Sequence, residues 1–306
     1  MKPSKAVLVA GAAIGSLALA VAISGSLAHA QVAKPPTTGA PPTAAPPVTG
    51  APATAGAGGA PAAPAMKVSP TAGADLKSGD QGKIRAALDE IRMAGKGPGS
   101  PYAGTIVELL QRGVPTTVAE AALDTLGDLE AESASPVIAQ YMEHRNARVR
   151  QAATKALVKT KGPVAVRALR HALSDQDPMV RGVAANGLGA LKAKEAVPDL
   201  FLALDHRINE ASTSIGMLCN PQECEQLASR IGKFPFDVMG AGIEQALFRP
   251  DVSDDSKIKL LGHVRELGTQ DANKFLREVV KKWPKTGSAR VKQSLDQAVQ
   301  ATGGGA

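Results

Sequence analysis

Two cysteines are the residues of this 306-residue chain whose type and spacing most readily support covalent chemistry. Cys219 and Cys224 enclose four residues, which is not the two-residue spacing of redox-active pairs. No second pair of Cys or His lies nearby in the sequence to complete a zinc site. In an exported chain, such an even and closely spaced pair favours a structural disulfide. Free thiols, redox activity and metal binding at Cys219 and Cys224 are the alternatives.

Histidines offer the other route to chemistry, but their spacing is irregular. They include His144, His171, His206 and His263, and none of these lies in a metal-binding motif. No serine lies in the Gly-x-Ser-x-Gly turn of a hydrolase. We therefore predict no catalytic residue, no cofactor and no metal site, and the sequence favours a protein without enzymatic activity.

A repeat of 31 residues indicates the elements that must position these side chains. Apolar and small residues recur in phase at the following positions: Val118, Val149 and Val180; Ala122, Ala153 and Ala184; Leu126, Leu157 and Leu188; Ile138, Leu169 and Leu200; Met142, Leu173 and Leu204. Steps of three and four within each copy place these residues on one face of a helix. Two sets that advance together predict a two-helix unit, and each copy buries its apolar face on its neighbours.

The third copy carries a family resemblance. It contains Asp177-Pro178 before Val180-Arg181, then Leu188-Gly189, then Val197-Pro198. This pattern resembles a HEAT repeat of the short, phycobilisome-lyase-like kind, here in an exported bacterial type. In that family the Asp-Pro turn ends one unit, Val-Arg begins the next helix, Leu-Gly closes it and Val-Pro opens its partner. The resemblance is strong from about Thr117 to Leu204 and implies an all-α fold, an α-solenoid of antiparallel helix pairs.

The N-terminal sequence predicts export. Lys2 and Lys5 precede an apolar run that ends near Ala22, and the small-x-small signature Ala28-His29-Ala30 follows. We expect residues 1–30 to be a signal peptide and the protein to be periplasmic or extracellular. An uncleaved N-terminal membrane anchor is the alternative, because the apolar segment is long enough to span a bilayer.

The remaining sequence divides by composition. Residues 31–78 are rich in Pro, Ala, Thr and Gly, which predicts a disordered linker. Residues 79–300 form the predicted solenoid, with a further helical pair upstream of the repeats and degenerate copies downstream. Pro221, Pro235 and Pro250 interrupt the period and predict an irregular insert at about 212–256. Residues 301–306 are a predicted disordered tail.

Charge indicates a candidate binding surface. The segment from Arg145 to Arg170 contains no acidic residue, and its candidate partner-binding residues are Arg145, Arg148, Lys155, Lys159, Lys161, Arg167 and Arg170. We assign Arg150 and Arg181 a structural role instead, in which they pair with capping Asp or Asn residues of neighbouring turns. The net charge of +7 is modest and the aromatic content of 3% is low, so composition and export disfavour a nucleic-acid partner.

Together these observations predict a non-enzymatic scaffold or adaptor in the cell envelope. It would bind a protein partner through the concave face of the solenoid and the basic residues of 145–170. One alternative is an envelope structural protein that binds an anionic polymer or lipid through the same basic residues. Another is an enzyme or redox module centred on Cys219 and Cys224. Contact with a membrane is expected only if the signal segment is uncleaved.

Overall fold

A computed structural model describes residues 67–303, in which sixteen α-helices follow one another without a β-strand. The helices are α1 (Ala72–Lys77), α2 (Gln81–Ala94), α3 (Lys96–Gly99), α4 (Ala103–Gln111), α5 (Thr116–Asp128), α6 (Ser135–Gln140), α7 (Ala147–Thr160), α8 (Gly162–Ala172), α9 (Pro178–Ala190), α10 (Val197–Asp205), α11 (Glu210–Leu218), α12 (Pro221–Ala228), α13 (Phe236–Phe248), α14 (Asp254–Glu266), α15 (Gln270–Lys282) and α16 (Ala289–Gly303).

The helices stack in two rows. In the first row, α2, α5, α7, α9, α11 and α13 pack side by side in that order. In the second row, α4 packs on α6 and α6 packs on α8, and farther along the chain α12 packs on α14 and α14 on α16. This arrangement confirms the predicted all-α solenoid, including the helical pair upstream of the repeats and the helices downstream.

Local sequence explains where the repeated helices begin. The Asp177 side chain accepts a hydrogen bond from the backbone N–H of Val180, at 3.1 Å, and Pro178 is the first residue of α9. Proline suits this position because its missing N–H has no partner in the first turn. At the start of α7, Asn146 accepts from the backbone N–H of Arg148 at 2.9 Å. Both side chains satisfy backbone donors that the helix itself leaves unpaired.

The core lies between the two rows and includes all of the predicted repeat positions. Every residue of the Val118, Ala122 and Leu126 sets is completely buried. The sets that begin with Ile138 and Met142 are also buried. Apolar burial of this kind stabilises each unit only through its neighbours, as in other repeat proteins.

Helices α11 and α13 approach at a pair of glycines. A Cβ atom added to Gly216 of α11 would lie 2.7 Å from the carbonyl carbon of Gly242 of α13 and 2.9 Å from its Cα. Real Cβ atoms do not approach backbone this closely. The two helices therefore cross with their backbones in contact, which only glycine at both positions allows.

The structure corrects the predicted irregular insert at 212–256. Helices α11, α12 and α13 occupy this segment, and α13 packs on α11 in the first row. Pro221 is the first residue of α12, Pro235 is the N-cap of α13 and Pro250 follows α13. Proline is tolerated at these positions, so the three residues mark helix boundaries rather than an insert. The spacing does change here, because α11 begins at Glu210 and α13 at Phe236.

The helical domain is longer at both ends than the predicted 79–300. Helix α1 lies within the predicted linker, and its residues Ala72 and Leu76 are buried. At the other end, the Thr302 hydroxyl donates to the carbonyl of Ala298 at 2.9 Å, within α16. Two buried residues in a segment rich in Gly and Ala give too weak a periodic signal for sequence reasoning to detect.

Several predictions concern segments outside the described residues. These are the signal peptide at 1–30, the linker from 31 to 66 and the last three residues of the tail, 304–306. Within residues 67–303, no helix combines the length and the apolar character needed to cross a membrane.

Candidate functional site

The two cysteines join the end of one helix to the start of the next. Cys219 follows α11, Cys224 lies in the first turns of α12, and their sulfur atoms are 2.03 Å apart with Cα atoms at 5.3 Å. Both residues are at most 1% exposed. The Arg249 guanidinium donates to the carbonyl oxygen of Cys219 at 2.9 Å and so ties this turn to the end of α13. The pair links helices and presents no reactive sulfur at the surface.

The structure distributes the seven basic candidates over both rows of helices. All of them are exposed. Arg148, Lys155 and Lys159 lie on α7 of the first row, whereas Arg167 and Arg170 lie on α8 of the second. The remaining two, Arg145 and Lys161, precede and follow α7. The basic residues of 145–170 therefore do not form one continuous surface.

Acidic residues of neighbouring repeats neutralise part of this charge. Lys159 pairs with Asp128, Lys161 pairs with Glu130 at 3.2 Å, and Arg170 pairs with Asp199. Hydrogen bonds from Lys96 and Lys161 lower the pKa of Glu130. Within residues 67–303, the candidates that form no ion pair are Arg145, Arg148, Lys155 and Arg167. The absence of acids within 145–170 thus did not predict the local charge in the fold.

Arg150 has the structural role predicted for it. Its guanidinium donates two hydrogen bonds of 2.8 Å to the carboxylate of Asp175 in the next repeat, and a third of 3.0 Å to the carbonyl of His144. Burial acts to raise the pKa of Asp175, but the hydrogen bonds from Arg150 and from the Asp177 backbone outweigh it and lower that pKa. Arg181, by contrast, donates to backbone carbonyls rather than to a carboxylate.

A groove crosses the solvent side of α5, α7 and α9. Its volume is about 340 Å³. Asp124, Lys155 and Asn186 line it, one from each helix and each 31 residues from the next, and Lys159 of α7 is the fourth polar side chain in the lining. Val158 and Val183 contribute apolar surface to the same groove. The sequence predicted Lys155 and Lys159 as binding residues but not Asp124, Asn186 or Val183. These three could have been found by counting 31 residues backward and forward from Lys155 and the residues near it.

Two exposed methionines lie on the helices that flank α5, α7 and α9 in the first row. Met93 on α2 and Met217 on α11 stand 31 residues before Asp124 and after Asn186. They are 67% and 40% exposed and belong to the few large apolar side chains with such exposure in the described residues.

The electrostatics of the groove are mixed. Burial raises the pKa of Asp124, and the positive charges of Arg92, Lys159 and Lys155 oppose this shift only in part. Lys159 is held by Asp128, whereas Lys155 points its charge to solvent without an ion pair in the part of the chain that the structure describes. Lys155 is therefore the cation of the groove that is available to a ligand.

A second cleft lies between the turns that precede α7 and α9, and it bears on the prediction that the chain has no catalytic residues. His144, His171, Glu143 and Ser174 line this cleft, and His171 lies 3.5 Å from Glu143. Within residues 67–303, no serine hydroxyl is hydrogen-bonded to a histidine ring, and no group of three or more His, Cys, Asp or Glu side chains is placed to hold a metal ion. This cleft therefore lacks the contacts of a nucleophile–base pair.

Residues 105–181, from α4 into the start of α9, match the family model of HEAT repeats. The sequence matches no curated protein. Among solved structures, the chain is similar to the complex of CpcE and CpcF of phycocyanin lyase from Nostoc sp. PCC7120, with a TM-score of 0.43, 18% identity, and coverage of 79% of this chain and 97% of that one.

Two further similarities are at comparable identity. Human deoxyhypusine hydroxylase in complex with glycerol gives a TM-score of 0.35 and 15% identity, over 76% of this chain and 95% of that one. A designed armadillo repeat protein gives a TM-score of 0.29 and 16% identity, over 76% of this chain and 99% of that one. The family match therefore identifies HEAT repeats at 105–181, where α5, α7 and α9 begin at 31-residue intervals.

Proposed function

We propose that this protein is a non-enzymatic scaffold of the cell envelope that binds a protein partner through the solvent side of its first row of helices. The groove over α5, α7 and α9 carries the proposal, because it combines an unpaired cation, Lys155, with apolar side chains and hydrogen-bonding groups. Solenoids expose long surfaces of this kind, to which many side chains contribute small and additive contacts.

The chemistry of the chain supports a binding role over a catalytic one. The cysteine pair is buried between helices, and His144 and His171 line an open cleft without a bonded nucleophile. Binding by a rigid surface needs none of these groups, whereas it does need exposed side chains in a fixed arrangement. The stacked helices supply that arrangement along the first row.

The envelope location is part of the proposal and rests on sequence. Ala28-His29-Ala30 follows an apolar run, and the Pro-rich sequence up to residue 66 separates that run from the first described helix. If the signal is cleaved, the scaffold is periplasmic or extracellular. If it is retained, the Pro-rich segment connects the solenoid to the membrane.

The test uses the full chain, immobilised and exposed to native envelope extract at moderate salt, with retained proteins identified by mass spectrometry. The test variant carries Arg148→Glu and Lys155→Glu. The control variant carries Lys274→Glu and Lys281→Glu, two lysines of α15 with the same seven-residue spacing and the same change of net charge.

We expect one or a few proteins in stoichiometric amounts, lost in the test variant and kept by the control. Retention of no protein, or equal retention by both variants, would contradict the proposal. Binding that survives protease treatment of the extract and weakens steeply with salt would instead indicate an anionic polymer or lipid.

A further inference from the structure

Two cations stand alone on one face of α7. Arg148 and Lys155 are seven residues apart, so they project from the same side of the helix, two turns apart. Both are exposed. At 1.5 Å of rise per residue, their backbone positions are separated by ~10.5 Å along the helix axis.

Within the described helices, these two residues are free to pair with charges of a ligand, unlike several other exposed cations of the fold. Several cations exposed on one repeat are paired with a carboxylate from another repeat, as in Lys159–Asp128, Lys161–Glu130, Arg170–Asp199, Arg230–Asp205, Lys259–Glu225 and Lys282–Glu244. Gln151, which lies between the two cations on α7, does find a partner in the next repeat, since it donates to Asp177 at 3.2 Å. Within residues 67–303, Arg148 and Lys155 have none.

An apolar strip runs beside these cations on α9. Met179 is 62% exposed, and Val183 and Ala190 line the groove together with Lys155. The three residues lie at steps of four and seven along one side of α9, and the polar Asn186 lies between Val183 and Ala190 on that side. Met179 stands in the register of Arg148, 31 residues later, so the strip and the cations run along the same length of the two helices.

On the far side of the strip the charge is negative. Glu210, at the start of α11, lies over Gly182 of α9, because a Cβ added to that glycine would be 2.9 Å from a carboxylate oxygen of Glu210. Across the first row, the order is therefore the carboxylate of Asp124 on α5, the cations of α7, the strip of α9 and the carboxylate of Glu210 on α11. A ligand with acidic side chains along one edge and apolar side chains beside them matches this order in one orientation.

We propose that α7 and α9 bind an acidic amphipathic helix of a protein partner. Two of its carboxylates, seven residues apart, face Arg148 and Lys155, and its apolar side chains cover Met179, Val183 and Ala190. The helix is favoured over an extended segment because a helix that lies along α7 and α9 places residues seven apart at the spacing of the two cations. The inference rests on the proposed function and specifies the partner chemistry of that site.

The test measures the binding of synthetic peptides to the full chain by fluorescence anisotropy. The probe is a side-chain-stapled helix of about 20 residues, long enough to hold helical structure, with two Glu seven residues apart and Leu on the adjacent face. We expect it to bind, and we expect Arg148→Glu with Lys155→Glu to weaken binding by about tenfold or more. The control Lys274→Glu with Lys281→Glu leaves binding unchanged, although its net charge is the same.

A charge swap gives a second readout. A peptide in which both Glu are replaced by Lys binds the Arg148→Glu, Lys155→Glu variant better than the original protein, provided that the carboxylates face these two positions. Val183→Ser weakens both peptides, because it removes apolar contact without a change of charge.

Three outcomes overturn the inference. The first is no binding of the acidic helix, or equal loss of binding in both double variants. The second is equal binding of an unstapled peptide with a central proline, which would indicate an extended ligand. The third is that vesicles containing phosphatidylglycerol, but no peptide, bind in a way that depends on Arg148 and Lys155. A different result is that the original chain retains a protein from envelope extract that the double variant loses, while the acidic helix does not bind. That result would support the scaffold function and contradict only the proposed acidic helix.

Discussion

A single methyl group at the crossing of α11 and α13 should destabilise the protein. In Gly216→Ala the new Cβ would meet the carbonyl carbon of Gly242 at 2.7 Å and its Cα at 2.9 Å. The obstacle is backbone, so no side chain can rotate to relieve the contact. The two helices must move apart instead, which also loosens the contacts around them.

The magnitude follows from two opposing effects. Overpacking of a close contact costs about 1–3 kcal/mol, and a contact with backbone belongs at the upper end of that range. Alanine is better than glycine in a helix interior by about 1 kcal/mol. The net loss of unfolding free energy is therefore about 2 kcal/mol, which corresponds to a decrease in Tm of ~4–8 °C for a domain of this size.

Gly262→Ala is the matched control. Gly262 lies within α14, and a Cβ at this position would have no atom within 4 Å. The same substitution there should raise stability by about 0.5–1 kcal/mol, because only the helix preference changes. The two variants thus have effects of opposite sign.

Thermal unfolding followed by far-UV circular dichroism measures both effects, and hydrogen exchange locates them. In Gly216→Ala, we expect loss of protection in α11 and α13 first, since each unit of a repeat protein depends on its neighbours. If Gly216→Ala raises the Tm as Gly262→Ala does, the close approach of α11 and α13 is refuted, and with it the reason for glycine at 216 and 242.

Three further predictions concern charge and processing. Arg150→Ala should lower stability by about 2 kcal/mol near neutral pH, because it leaves the mostly buried carboxylate of Asp175 without its partner. The folded pKa of Asp175 is below the ordinary 3.8, so this stabilisation is complete above pH 3.8 and is lost as pH falls through the folded pKa. The Tm values of the variant and the original chain should therefore converge in an acid titration. A constant difference in Tm would contradict the pairing. Burial lowers the pKa of Lys257, whose ammonium lies 5.9 Å from the ring centre of Trp283. The fluorescence of this single Trp should therefore show an inflection below pH 10.5 that disappears in Lys257→Met. An inflection that persists in the variant would contradict the assignment to Lys257. The mature protein should begin at Gln31 on N-terminal sequencing, and recovery of an intact N-terminus from the membrane fraction would favour the anchor.

Strict periodicity made the central fold predictable. Val118, Val149 and Val180 stand in phase with their small and apolar companions, and all of them are buried as the pattern requires. Where the period changes, the same reasoning failed. At α11 and α13 the contact is made by Gly216 and Gly242, and glycines add nothing to a hydrophobic pattern.

The candidate site was predicted in part, for a related reason. Lys155 was identified because it is a cation away from the apolar stripe, but its neighbours across the groove come from other repeats. The neutralisation of Lys159 and Lys161 was missed, although Asp128 and Glu130 each precede their partner by 31 residues. Charge along a sequence describes one helix, whereas charge on a solenoid depends on the same register position in adjacent repeats.

Site-specific photo-crosslinking tests most directly whether the first row binds a protein. A photoreactive amino acid replaces Asn186, which lines the groove, and in a second protein it replaces Arg167, which is exposed on α8 of the second row. After irradiation of each full chain in native envelope extract, our account predicts a crosslink to one or a few proteins from position 186 and none from position 167. No crosslink from 186, or the same products from both positions, would contradict it.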